Sequence, residues 1–168
     1  MQTTKNFTYK GASKMNAEYI NPFIEASQMV LKQIASIDTK LGKLYLKTSP
    51  FKSDNVIIIV GLTGKMRGQV AFSMSVCTAK MIASKMMMGM PVCEFDELAR
   101  SAVSEMANMI LGNTATLLYN RGIGIEITPP SLLMGDNMQV SNTSMKTVCI
   151  PLIIAEDEAI EIDVSLKE

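Results

Sequence analysis

The stretch Ser101–Gly112, SAVSEMANMILG, lies in the longest helical pattern of the chain, and the fold is read outward from it. At about 100° per residue, Ser101, Glu105, Asn108 and Gly112 fall within a sector roughly 60° wide. Leu98, Ala99, Ala102, Val103, Met106, Met109, Ile110 and Leu117 gather on the other side. A solvated helix face normally carries Lys and Glu at random. This one stacks a carboxylate, a carboxamide and a glycine. Glycine inside a helix costs about 1 kcal/mol relative to alanine, and asparagine is also a poor interior helix former. Such a face fits a surface that something else must approach closely.

Asp96 is the expected N-cap of this helix and Gly122 its C′ residue, which places the helix between about Asp96 and Asn120. Asn113 projects onto the apolar face, where a carboxamide needs partners, so it is expected to tie the helix to a nearby loop. Upstream, a shorter helix is predicted over about Thr78–Met88. Another runs over Asn16–Ala35, with Pro22 near its start, Phe23, Ala26, Val30, Ile34 and Ile37 on one face, and Gly42 as its stop.

Strands fill the intervals. Lys43–Thr48 alternates weakly. Val56–Val60, VIIIV, reads as a strand buried on both faces. Val70, Phe72 and Met74 alternate with small residues as in a half-buried strand, and Gly61, Gly64 and Gly68 suit a hairpin between the two. Further strands are expected at Ile123–Ile127, near Gln139–Val140, over Thr147–Ile154 and through Ile160, Ile162, Val164 and Leu166. Thr128-Pro129-Pro130 reads as a tight turn. This order gives an α+β domain with a mainly antiparallel sheet packed with a long helix and further helices.

The 168 residues, 48% of them apolar, suit one domain with a real core, placed at residues 15–168. Met1–Lys14 carries lysines and no acid and reads as a flexible N-terminal extension. The net charge is zero and the three arginines are scattered, which argues against a nucleic-acid partner. No apolar run approaches the ~20 residues of a membrane span. Cys77, Cys93 and Cys149 show no CxxC spacing, so a reduced, cytoplasmic chain is expected, with Cys77 and Cys93 as small core residues. Lys85–Met90, KMMMGM, reads as a helix end with core filling. The chain has no histidine, which excludes Ser-His-Asp and Cys-His chemistry. Gly61–Gly68, GLTGKMRG, has the wrong spacing for a phosphate loop and is followed by a strand rather than a helix. No hard-oxygen metal cluster is visible, so no metal site of its own is expected.

ELARSAVSEMANMILGN followed by ITPPSLLMG resembles the CheX branch of the CheC/CheX/FliY chemotaxis phosphatases. The family motif is a Glu and an Asn separated by two intervening residues on a long helix, with a proline downstream. Here these are Glu105, Asn108 and Pro130, and Ser101 matches the Ser/Asp that precedes the Glu. GLTGKMRGQVAFSMS and MMMGM are also typical, and the likeness runs from about Met15 to Leu166.

The resemblance implies a phosphatase that removes the aspartyl phosphate of a CheY-like response regulator. Glu105 and Asn108 would be catalytic, and Ser101 would face the partner; the helical projection, not the resemblance, adds Gly112, which would let the partner's backbone approach. The Mg²⁺ would be supplied by the phosphorylated receiver. It also implies a homodimer joined through the sheets. The CheC branch carries a second motif on the first helix. Glu25-Ala-Ser-Gln28 has glutamine in place of asparagine and reads as a degenerate half-site. The alternatives are a non-catalytic receiver-binding module and a flagellar-switch-like scaffold part.

Overall fold

The computed structural model describes residues 17–167. The extension expected over Met1–Lys14 lies outside the described residues. The chain runs α1 (Ala17–Ala35), β1 (Lys40–Leu41), β2 (Tyr45–Lys47), β3 (Phe51–Lys52), β4 (Val56–Gly64), β5 (Gly68–Met74), α2 (Val76–Met86) and α3 (Glu97–Tyr119). It continues through β6 (Ile125–Ile127), β7 (Ser131–Met134), β8 (Gln139–Val140), β9 (Met145–Ala155) and β10 (Glu158–Lys167). Eight strands form one antiparallel sheet in the order β1-β9-β10-β5-β4-β6, with β2 also on β9 and β7 also on β4, while β3 and β8 make a separate ribbon. The α+β expectation holds.

Period-two alternation decides what covers each sheet face. Val56, Ile58 and Val60 of β4, Val70 and Phe72 of β5, Ile150 of β9 and Ile162 and Val164 of β10 point to one side. They are buried there against Phe23, Val30 and Leu31 of α1, Ile82 of α2 and Val103, Met106 and Ile110 of α3. Burying each large side chain stabilises by about 1.5–3 kcal/mol, which outweighs the few tenths that separate most helix propensities. Packing, not propensity, therefore holds α3 with its asparagines and glycine.

The outer face is covered in its middle by the β3–β8 ribbon. Phe51 and Val140 pack on Ile57 and Ala71. This is why VIIIV is buried on both sides. It also corrects the half-buried reading of the next strand: Ala71 and Ser73 are as buried as Val70 and Phe72. The expected hairpin forms between β4 and β5. Gly68 is needed there, since a Cβ at this position would run into the Ser165 carbonyl oxygen.

Several local expectations change. Thr128-Pro129-Pro130 is not a reversing turn. Ile127 faces Leu62, Thr128 N donates to Gly61 O at 3.0 Å, and Ser131 then faces Ile59. Two prolines thus lie opposite Val60, a bulge in one long strand made of β6 and β7. Prolines suit it because a bulged position gives no ladder N–H. Helix α1 stops at Ala35 rather than near Gly42, because Ser36 takes a left-handed φ of 52° and its N–H caps Lys32 O at 3.1 Å. Pro22 lies well inside α1. The carbonyl it cannot serve, that of Glu18, accepts a 2.9 Å hydrogen bond from Arg121 at the end of α3. Helix α2 begins at Val76, capped by Ser75, whose Oγ accepts from Thr78 N at 3.1 Å. Cys77 and Cys93 are exposed, and Cys149 alone of the cysteines is buried. Among the described residues no helix is long and apolar enough to cross a membrane.

Candidate active site on the third helix

The Asp96 carboxylate accepts the Ala99 N–H at 3.0 Å and starts α3 where expected. At the other end Gly122, at φ 78°, and Ile123 donate to Tyr119 O and Leu118 O, both at 2.9 Å. Ala99, Val103, Met106, Ala107, Ile110, Leu111, Thr114 and Leu118 are buried. The opposite side carries the predicted set. Ser101, Glu105 and Gly112 are exposed and Asn108 is half-buried. The structure therefore brings all four site residues onto one solvent-facing stripe. Open space lies over Gly112, where a Cβ would meet nothing within 4 Å.

Neither the Glu105 carboxylate nor the Asn108 carboxamide hydrogen-bonds another described side chain or backbone group. Both are thus available to a visitor. Apart from Glu105, the only charges on α3 are Glu97 and Arg100 in its first turns, and Arg100 is turned back onto Phe95 O at 3.2 Å. Pro130 sits in the bulge between β6 and β7, both of which lie against α3.

Asn113 is corrected. It is half-buried and donates to Met109 O at 2.8 Å within its own helix, so it ties α3 to no loop. A local back-bond satisfies the carboxamide at lower conformational cost than a distant partner. Leu98, assigned to the apolar face, is 61% exposed. At about 100° per residue it falls roughly 20° from Glu105, on the polar stripe rather than on the apolar face. On α1, Glu25 is exposed and Gln28 is half-buried, with Nε2 placed 3.4 Å from Thr39 O. The residue in the asparagine's place is thus already engaged.

A second polar cluster, which sequence reasoning missed, lies on the outer sheet face. Lys47 Nζ contacts Glu161 at 2.6 Å and Asp163 at 3.0 Å. Tyr45 donates to Glu161 at 2.9 Å. Beside them, Asn142, Thr147 and Ser165 are joined by hydrogen bonds of 2.7–3.2 Å. The alternation in β10 signals only that Glu161 and Asp163 share a face; Tyr45 and Lys47 come from β2, far away in sequence. Burial pushes the Cys149 thiol up to about 12 and raises the Tyr45 phenol. It also raises the Asp163 carboxyl, against the pull of Lys47. Burial works against the Lys47 charge, but Glu161 and Asp163 outweigh it and hold the amine above its usual value. Cys149, Glu161 and Asp163 bring possible metal-ligand atoms within 4.8 Å of one another. The Lys47 ammonium already supplies the positive charge at this point.

Residues 56–152 match the family model described as chemotaxis phosphatase CheX. A curated relative, the CheY-P phosphatase CheX of Thermotoga maritima, is 28% identical over 153 residues, which cover 91% of this chain and 98% of that protein. The fold superposes on a CheC-like superfamily protein from Shewanella sp. PV-4 with a TM-score of 0.82 and 25% identity, covering 92% of this chain and 100% of that one. It also superposes on CheX from Borrelia burgdorferi, solved as a CheX–CheY–BeF3–Mg²⁺ complex, with a TM-score of 0.77 and 31% identity over 89% of this chain and 98% of that chain. With the family model matching more than half of its length, the chain belongs to the CheX family of chemotaxis phosphatases.

Proposed function

We propose that this protein hydrolyses the aspartyl phosphate of a CheY-like receiver, with Asn108 and Glu105 as its catalytic pair. The observation that carries the reading is the exposed stripe of α3. There a carboxamide and a carboxylate one turn apart have no described hydrogen-bond partner and face solvent. An aspartyl phosphate is a reactive acyl phosphate, so the helper needs to place a water rather than supply a strong base. Asn108 orients that water in line with phosphorus, much as a glutamine does in small GTPases. The water oxygen forms the new P–O bond, the bond to the receiver's carboxylate breaks, and the water's protons leave with inorganic phosphate and solvent.

Glu105 pairs with the receiver's active-site lysine and fixes register; such a pair gives orientation more than net affinity. Ser101 and Gly112 lie under the partner, and Gly112 leaves room for its backbone. Mg²⁺ comes with the receiver, and the relative from Borrelia burgdorferi was solved with CheY and Mg²⁺ together. On the α3 stripe itself Glu105 is the one carboxylate, too few hard ligands for that ion. Gln28, held near Thr39 O, supports one working site per chain. The protein acts as a homodimer joined through its sheet. Exposed Leu41, Tyr45, Leu46 and Ile153 along the β1–β2 edge and neighbouring β9 favour that side.

The test is phosphate release from a receiver phosphorylated by acetyl phosphate. Wild type accelerates it, and Asn108→Ala reduces the acceleration by at least about 100-fold, the usual scale for one positioning group in the transition state. Binding of the beryllofluoride-activated receiver persists in the variant. Turnover near wild type in Asn108→Ala would remove the water-orienting role, and binding without acceleration by wild type would leave a receiver-binding module.

A further inference from the structure

Two apolar residues on the same face of α3 as the candidate catalytic pair are largely exposed. Leu98 is 61% exposed and Tyr119 is 73% exposed. At about 100° per residue they share a sector roughly 80° wide with Ser101, Glu105, Asn108 and Gly112. The one other residue of α3 in that sector is Thr116, which back-bonds to Gly112 O at 3.2 Å. No lysine or arginine lies in the sector. Isolated exposed leucines are ordinary. A solvent-facing stripe of this length that is apolar at both ends, polar in its middle and free of basic side chains is not.

The spacing adds a second argument. At 1.5 Å per residue, Leu98 lies about 15 Å before Asn108 and Tyr119 about 16 Å after it, for a total of about 31 Å. A standard protein–protein contact buries roughly 800 Å² per partner, a patch roughly 32 Å across. A contact of that size centred on Asn108 would reach Leu98 and Tyr119 along α3.

Resting on the receiver-phosphatase reading above, we propose that Leu98 and Tyr119 are the apolar rim of the receiver-docking surface, closing both ends of the α3 stripe over the phosphoryl site. The occupant is the phosphorylated receiver domain, since the rim is continuous with the face that carries Asn108 and Glu105. The rim excludes bulk water from the polar centre, as the weakly contributing ring around a hot spot does. It leaves Asn108 to hold the one water that reacts. Leu98 and Tyr119 are therefore positioning residues that act through binding and touch no reacting atom.

The experiment measures two quantities on Leu98→Ser, Tyr119→Ser and the double variant. One is the Kd for the beryllofluoride-activated, Mg²⁺-loaded receiver. The other is the kcat and KM for dephosphorylation of that receiver charged by acetyl phosphate. Each single variant is expected to raise Kd and KM about fivefold, with kcat within about twofold. The double variant is expected near 25-fold, because residues so far apart contribute additively. Leu98→Met and Tyr119→Phe, which keep apolar area, stay near wild type. Thermal melts of all variants stay close to wild type, because the side chains are exposed. Unchanged Kd in both serine variants overturns the proposal, as does a fall in kcat with KM unchanged. If wild type binds the receiver but does not accelerate phosphate loss, the catalytic reading fails, while the Kd series still decides the docking rim.

Discussion

Gly112 shows how one residue separates a stability argument from a functional one. It lies in the second half of a long helix, where alanine or leucine would be favoured by nearly 1 kcal/mol. Nothing within 4 Å would resist a side chain there, so internal packing does not explain the glycine. Gly112→Leu is therefore expected to leave the melting temperature unchanged or to raise it by about 2–4 °C. The same substitution places a branched side chain one turn from Asn108, on the face proposed to meet the receiver. A misplacement of about 1 Å can cost on the order of 100-fold in rate, so turnover should fall steeply. Melting and turnover measured on one preparation check both halves. A collapsed melt would place Gly112 in tight packing, and unaltered turnover would show that the partner docks elsewhere. Asn108 and Glu105 follow the same reasoning from the other side: neither is bonded within the described fold, so neither is needed to hold α3 together.

The elements that could be read from sequence are those whose signal is local. The 3.6-residue pattern and the caps of α3 place it within a residue or two, because Asp96 and Gly122 make their bonds to near neighbours. The motif residues follow, since a helix once placed fixes which side chains share a face. What escaped depends on distant partners. VIIIV looks doubly buried in sequence, but its cover, Phe51 and Val140, comes from a ribbon whose strands are too short to show alternation. Pro129-Pro130 reads as a turn because the opposing residue, Val60, is remote. Lys47 carries no local sign that it joins Glu161 and Asp163 of β10.

That ion group makes its own prediction. Removing one partner of a buried group strands the others, at a cost of about 3–5 kcal/mol, so Lys47→Met should lower the melting temperature markedly. The loss should be larger at pH 8 than at pH 5. Burial already raises Asp163 above its ordinary value, and Lys47 is what holds it down. Without Lys47 it rises further. Between the unfolded value and this raised folded value the folded state holds the extra proton, so stability falls as pH climbs through that window. Melts of wild type and variant at both pH values test this, and an equal loss at both would mean that Asp163 does not titrate in the window.

Taken whole, the molecule has two unlike surfaces. The helical layer presents the α3 stripe, and the sheet presents its edges and outer face. On the proposed reading, this separation would let a dimer form through the sheet while both α3 stripes stay open. The two sheet edges are unequal. Along β1, β2 and neighbouring β9, Leu41, Tyr45, Leu46 and Ile153 are exposed by 37%, 42%, 56% and 38%, whereas the β7 edge exposes Leu133 and Met134, each at 45%. An edge strand with unpaired backbone groups and apolar side chains is a template for another strand, and natural proteins blunt such edges unless they are used. Lys47, the charged residue of β2, is turned inward to its ion pairs, which leaves Lys40 of β1 as the exposed strand charge on this edge. The expected mass in solution is therefore twice the 18.4 kDa of the chain. Leu46→Glu should shift the protein to monomer at micromolar concentration, because two like charges would face each other across a two-fold contact. Leu133→Glu should remain dimeric. Light scattering on size-exclusion peaks decides between the edges: a dimer in the first variant with a monomer in the second would move the interface to β7. A monomeric wild type would remove the dimer altogether. Turnover per chain in the Leu46→Glu monomer should stay near wild type, since residues 98–119 of one chain contain the whole candidate site.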